Sequence, residues 1–246
     1  MSTFAIARKE LALFFTSPLF YLVTAVFLAL SGYWFYTNLA FYVLMGGMNM
    51  GRGLWQYQLY DMRQLLLALV PLLTMRLFAE ERRLGTLELL WTYPLRDVEI
   101  ILGKFIACMV VVGIMVLVTL LYPVLLSHFD RVAPGPLVAG YLGLLLLAAA
   151  SIACGLFLSA LTDSQLVAGA SAYGVLLFFW TLTWNEAAVG SGLLGFLRPL
   201  SLFDRFQTFA LGGIETRDVS FLLLFATAFL GFTFFALDAR RWRGIR

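Results

Sequence analysis

The sequence predicts an all-α, polytopic membrane protein, with six transmembrane helices in a single domain over residues 1–246. Three observations predict it. Hydrophobic residues make up 62% of the chain and charged residues only 13%, where a soluble domain carries about 25% charge. The mean hydropathy is +0.91, too apolar for a chain of this length to be solvated as a globule. Apolar runs able to cross about 30 Å of hydrocarbon recur along the chain, separated by charged or glycine- and proline-bearing turns. The net charge of +3 is small and gives no nucleic-acid signal. Cys108 and Cys154 fall inside apolar runs without CxxC spacing and read as small packing residues, with no disulfide framework implied. A cleavable signal peptide is not expected, because the first long apolar segment is span-length and lacks a small-residue cleavage pattern.

Residues 4–15 are amphipathic. Phe4, Ala7, Leu11, Phe14 and Phe15 share one helical face and Arg8 and Lys9 lie off it, the pattern of a helix lying in the membrane interface. Ser17 is a candidate N-cap with Pro18 at the first helical position, opening a first span over about 18–39. Residues 41–62 mix Gly46, Gly47, Gly51 and Gly53 with Met and aromatics and read as an outer loop, with Trp55, Tyr57 and Tyr60 at headgroup level. No GxxxxGK[ST] pattern occurs in the chain, and Gly103-Lys104 lacks both the upstream Gly and the following Ser or Thr, so a phosphate loop is excluded. The second span, about 60–79, contains Pro71 and Arg76. Pro71 is expected to kink it. Arg76, about one turn from the aqueous end, is expected to snorkel rather than line an ion path.

Residues 71–104 organise the chain, because only here do many charges interrupt the apolar interior of the sequence. Glu80-Glu81-Arg82-Arg83 opens a polar insert in which Leu84, Leu87, Leu90 and Trp91 recur at helical spacing, with Glu81, Arg82 and Glu88 elsewhere on the wheel. Gly85-Thr86 reads as a break and a cap for a short helix from Leu87, which Pro94 stops by Tyr93. Asp97 is a candidate cap for the next helix. On physical grounds alone two readings stand level: a docking element for a water-soluble partner, or an ordinary interfacial loop with solvated charges.

A third span covers about 105–127, with Pro123 near its outer end. His128 is the only histidine, which excludes a multi-histidine metal site. The fourth span, about 137–161, carries Ala148, Ala149, Ala150, Ser151, Ala153 and Gly155 as small surfaces for close helix packing. A tight inner turn at 162–165 leads to a fifth span, about 166–184. Residues 185–218 depart from the span pattern. Their apolar middle, 192–202, is too short and interrupted to cross, so an outer re-entrant or interfacial hairpin is expected. Glu186, at the mouth of the fifth span, is a pathway candidate, although a boundary carboxylate is ordinarily just hydrated. The sixth span, about 219–237, is followed by Arg240, Arg241, Arg243 and Arg246.

Ten basic residues fall on one side (Arg8, Lys9, Arg82, Arg83, Arg96, Lys104 and the four C-terminal arginines). Six fall opposite, Arg52, Arg63, Arg131, Arg198, Arg205 and Arg217, assigned to longer loops. The positive-inside rule then places both termini and the insert in the cytoplasm.

Pro71-Leu72-Leu73-Thr74-Met75-Arg76, Ala79-Glu80-Glu81-Arg82, Gly85-Thr86-Leu87-Glu88 and Gly103-Lys104 together resemble the signature of ABC transporter permeases of the ABC-2 type. The nearest likeness is to permeases associated with gliding motility and with nitrous-oxide-reductase maturation. Lys9-Glu10, Phe15 and Ser17-Pro18 resemble that family's N-terminus, and residues 213–218 and 240–243 its last span and tail, so the likeness covers essentially the whole chain. A short outer turn at 128–136 departs from members with a large extracellular domain.

The resemblance implies a transporter membrane subunit, not an enzyme, in a bacterial plasma or inner membrane. It pairs with a second permease copy or paralogue and docks cytosolic ATPase subunits, which bind the ATP and Mg; no cofactor sits on this chain and no nucleic acid is engaged. The insert would serve as a coupling helix, with Glu80, Glu81, Arg82, Gly85, Thr86 and Glu88 as the coupling residues. Export is the expected direction; the cargo is not encoded in these motifs. An anchor or regulatory subunit that recruits an ATPase without moving cargo is the alternative. A secondary transporter would show charges at the midplane of broken helices, and a membrane enzyme would show clustered His, Asp or Cys at a membrane edge; the apolar runs show neither pattern.

Overall fold

A chain surrounded by lipid must satisfy its backbone N–H and C=O groups internally, and helices do so segment by segment. The computed structural model describes residues 3–44, 50–86, 96–128, 134–182 and 198–243, and every regular element among them is helical. In order these are α1 (Thr3–Thr16), α2 (Pro18–Leu44), α3 (Met50–Thr74), α4 (Ala79–Arg83), α5 (Asp97–Val118) and α6 (Leu121–Leu126). There follow α7 (Pro134–Leu161), α8 (Gln165–Thr181), a 3-10 turn (Arg198–Leu200), α9 (Leu202–Ala210) and α10 (Thr216–Arg243). Among the described residues five stretches are long and apolar enough to cross a membrane: Pro18–Leu44, Gly53–Arg83, Asp97–Leu126, Pro134–Leu161 and Thr216–Ala239. Helix α8 is apolar but has 17 residues, short of the roughly 20 that a straight span uses.

Helix α7 is the hub, touching α3, α5, α8, α9 and α10. Its small residues explain why. Ala148, Ala150, Ser151, Ala153 and Gly155 are all buried, as expected, and a Cβ on Gly155 would collide with Thr74 of α3. A Cβ on Gly143 would come within 2.6 Å of Phe209 of α9. Opposite this tight seam, α10 interlocks through large rings: Phe225 lies edge-on to Phe179 at 5.1 Å and Phe229 edge-on to Phe157 at 5.8 Å.

The structure corrects several boundaries. Residues 41–62 are not a loop: α2 continues to Leu44 and α3 begins at Met50, leaving only 45–49 outside the described residues. Packing overrides the helix penalty of glycine here. The Gly53 backbone lies against the Tyr42 ring where α2 and α3 meet, and Trp55 is buried and stacked on Phe35. Tyr57 is exposed and Tyr60 half-buried. Arg63 accordingly belongs to a helix and not to a loop.

Helix α3 continues through Pro71, and the chain leaves helical geometry four residues later, at 75–78. The Met75 N–H still reaches the Pro71 carbonyl at 2.9 Å, but Leu77 N–H bonds to Thr74 three residues back. The Ser159 hydroxyl of α7 staples the break. It accepts from the Phe78 and Ala79 N–H groups and donates to the Met75 carbonyl, each at 3.1 Å. The third span breaks at Thr119–Leu120, where Pro123 cannot donate to the Thr119 carbonyl and Tyr122 N–H takes it at 3.0 Å. Asp97 is not the cap of α5. Arg96 holds that position, its N–H donating to Glu99 at 3.3 Å.

Helix α1 packs on α5, with Ile6, Ala7 and Glu10 buried. Of the predicted apolar face, Ala7, Leu11 and Phe14 pack inward, whereas Phe4 and Phe15 are exposed. Part of the 185–218 segment lies outside the described residues, including most of the expected hairpin and Glu186. Its remainder is α9, capped by Ser201 and burying Leu202, Phe206 and Phe209. Arg205 ties α9 to α10 through Asp218 at 2.8 Å.

Candidate coupling site at one end of the bundle

Five of the six residues singled out in the insert lie among the described ones, and they divide into an inward and an outward set. The break at 75–78 redirects the chain into α4, only five residues long. Gly85 then takes φ +69°, a left-handed turn that favours glycine. Around it Leu84 N–H bonds to Glu80 at 3.0 Å, Gly85 N–H to Arg82 at 3.0 Å, and the Thr86 hydroxyl to the Glu81 carbonyl at 3.2 Å. The expected break at Gly85-Thr86 is therefore present. Its Thr86 hydroxyl bonds backward onto α4, and the proposed short helix from Leu87, with Glu88, lies outside the described residues.

Glu80, Glu81 and Arg82 face inward and brace α4 on three sides. Arg82 donates to the Ala160 carbonyl at 3.2 Å and pairs with Asp163, fixing α4 to the α7–α8 turn. Glu80 accepts from Arg76 Nε at 2.9 Å, and Arg76 Nη1 also donates to the Ser17 hydroxyl at 2.6 Å. Ser17 thus receives a guanidinium at the α1–α2 junction, and Arg76 is an interhelix tie rather than a free snorkelling cation. Glu81 meets Lys104, whose Nζ stands 3.0 Å from both Glu81 Oε1 and Glu10 Oε1. Lys104 is 1% exposed and its Nζ lies 5.2 Å from the Phe78 ring centre. Lys9 stands 3.9 Å from Glu81 Oε1, and Glu81 Oε2 has no hydrogen-bond partner. One buried cation thereby joins α1, α4 and α5.

This network was invisible as a network in the sequence. Lys9-Glu10 and Gly103-Lys104 were noted as motif residues, but nothing local pairs Glu10 with a lysine 94 positions away. Gly103 supplies the physical link: a Cβ there would come within 2.7 Å of Ile6, so glycine lets α1 approach α5 closely enough for Glu10 to reach Lys104. Ser159 and Asp163 were likewise missed, since a serine within an apolar helix and an aspartate in a turn carry no signal of their partners.

Facing away from the bundle are Arg83, Leu84, Gly85 and Thr86, all exposed, with Leu84 at 63%. Beside them a cleft of about 490 Å³ opens between α1, the start of α2 and the end of α3. Its floor is apolar (Leu13, Phe14, Phe20, Leu73, Leu77) and its rim carries Lys9, Arg76, Glu80 and Glu81. An exposed apolar and basic tip on a charge-locked base is suited to receiving force from a contacting body and passing it to several helices. Among the described residues no three His, Cys, Asp or Glu side chains are grouped to hold a metal.

The family model described as ABC-2 family transporter protein matches residues 4–236. No curated protein matches the chain at a significant level.

Proposed function

This chain belongs to the ABC-2 transporter family, and from that premise we propose that it is the permease subunit of an ATP-driven exporter. A separate cytosolic ATPase would bear on the segment from Glu80 to Glu88. The membrane body would comprise six spans, with the 17-residue α8 as the fifth and both termini in the cytoplasm, working as a dimer with a second copy or paralogue. The observation that carries this reading is the double anchorage of α4. Glu81 through Lys104 and Arg82 through Asp163 connect a short exposed element to α1, α5 and the α7–α8 turn. A displacement of the Arg83–Thr86 tip then moves several helices together, as a two-state reorientation between inward- and outward-open forms requires. Arg76, held by Glu80 and Ser17, is a brace in this scheme, and Pro71 lies in the helix that leads to it. Hydrolysis belongs to the partner.

The test is reconstitution with the ATPase. Glu81→Lys and Glu88→Lys are expected to insert normally yet to lose the coupling of ATP hydrolysis to transport in sealed vesicles. Normal coupled activity in both variants refutes the assignment. ATP turnover by the wild-type complex with no cargo movement would favour the anchor reading. A cysteine at Thr86 should be labelled only from the cytosolic side; labelling from outside intact cells overturns the orientation.

A further inference from the structure

Arg63 lies seventeen positions before Glu80 in the same helical stretch, so about 25 Å from the α4 end at 1.5 Å per residue. Against a hydrocarbon thickness of about 30 Å, that puts its guanidinium near the opposite interface. The residue is 5% exposed, and neither its Nε nor its Nη1 has a hydrogen-bond partner. Four rings enclose it instead: its Cζ stands 4.1 Å from the Trp180 ring centre, 4.4 Å from Phe203, 4.7 Å from Tyr60 and 5.3 Å from Phe206. Asp61, two residues away, is engaged with the Asn38 amide at 2.8 Å. Ring faces attract a cation but fill none of its in-plane donor positions.

Neighbouring cations show what a purely structural one looks like. Arg205 is also buried and also lies over a ring, Phe221 at 5.1 Å, yet it donates to Asp218 at 2.8 Å and twice to the Pro199 carbonyl, at 2.9 and 3.2 Å. Lys104 has two carboxylates. Neither open donor of Arg63 meets an acceptor among the described residues, and a buried guanidinium with open donors is disposed to take an anion.

We propose that Arg63 and its ring cage form a binding site for a phosphate group, supplied by a phospholipid headgroup at that interface or by a soluble phosphorylated molecule. Phosphate fits the fixed fork of a guanidinium, and lipid phosphates lie at this depth. Trp180 and Phe206 are buried while Tyr60 and Phe203 are half-buried, so the ligand enters on the Tyr60–Phe203 side. Phe203 sits near the start of the nine-residue α9, and a turn of its side chain uncovers the guanidinium edge. This site stands apart from the coupling site and does not depend on the transport reading.

Trp180 serves as a reporter inside the cage. The full chain in neutral maltoside micelles is titrated with dihexanoyl phosphatidic acid, inorganic phosphate and dihexanoylglycerol. The signal is the fluorescence of the wild-type chain less that of Trp180→Phe. A saturable change with phosphatidic acid, none with dihexanoylglycerol, and binding weakened roughly tenfold or more in Arg63→Gln are expected. A response to phosphatidic acid alone assigns the lipid source; a response to inorganic phosphate as well assigns the soluble one. Phe203→Ala leaves Arg63 in place and tightens binding, so the proposal stays testable should Arg63→Gln not assemble. Silence toward both phosphate probes, undiminished affinity in Arg63→Gln, or unchanged affinity in Phe203→Ala overturns it.

Discussion

Replacing Lys104 by methionine tests the cationic brace directly. Methionine fills nearly the same volume without charge, so the change isolates the ion pairs that Nζ makes at 3.0 Å with Glu10 and Glu81. Both carboxylates are largely enclosed, with side chains 7% and 16% exposed. Breaking a buried pair by removing one partner costs about 3–5 kcal/mol, because the stranded charge loses its partner without regaining water. Neutralising either carboxylate alone is milder, since Lys104 keeps the other; Glu10→Gln or Glu81→Gln should cost about 1.5–3 kcal/mol, the range of a single charged hydrogen bond. The triple variant Lys104→Met, Glu10→Gln, Glu81→Gln strands no charge and should recover most of the loss. Reversible unfolding in mixed micelles, followed by far-UV circular dichroism, gives the four free energies. A Lys104→Met chain as stable as the wild type, or a triple variant no better than Lys104→Met, would show that the pairs are not coupled as the geometry says.

Ser159→Ala removes the staple at the helix break and strands two N–H groups and a carbonyl, so a loss of about 1–3 kcal/mol is expected. Amide exchange at Phe78 and Ala79 should accelerate selectively, and unchanged protection there counts against the staple. Gly155→Ala drives a methyl into Thr74 and should cost about 1–3 kcal/mol; adding Thr74→Ala should restore part of it in the same unfolding assay. Asp163→Ala removes a partner that is 65% exposed, so its effect on stability should stay below about 1 kcal/mol and shrink further with added salt.

How much of this was readable in advance depends on whether the signal is local. The small face of α7 and the turn at Gly85 are written in contiguous residues, and each appears where its pattern placed it. Residues 41–62 misled because glycine is judged by its intrinsic helix cost of about 1 kcal/mol, whereas Gly53 sits where the Tyr42 ring leaves no room for a side chain. The same misplaced loop turned Arg63 into a surface charge, when α3 carries it among four rings. Pro71 carried no signal of the break at 75–78, four residues further on. Neither the Ser159 staple nor the Glu10–Lys104 pair could be read at all, because each joins positions about eighty or more residues apart.

Two of the buried cations, Lys104 and Arg63, explain why the ends of α3 should behave differently under load. Lys104 is neutralised by carboxylates of its own chain on α1 and α4, so separating α4 from the bundle breaks its pair with Glu81 and the Arg82–Asp163 pair at once. Thr74, on the bundle side of the break, is clamped against Gly155, whereas Met75–Phe78 is held by hydrogen bonds, those of the Ser159 hydroxyl and those of Arg76 to Ser17 and Glu80. A push on the exposed Arg83–Thr86 tip therefore has two ways to be absorbed. It can flex the 75–78 segment while Lys104 carries α1 and α5 along, or it can pull the ion pairs apart. Three 3.1 Å hydrogen bonds to one serine adjust by small rotations, while taking Glu81 from a buried lysine that keeps Glu10 costs about 1.5–3 kcal/mol. The first is the easier path. Motion at the tip then moves α5 and α1 against an α3 whose upper part stays fixed on α7, leaving the Arg63 cage undisturbed until α8 or α9 shifts.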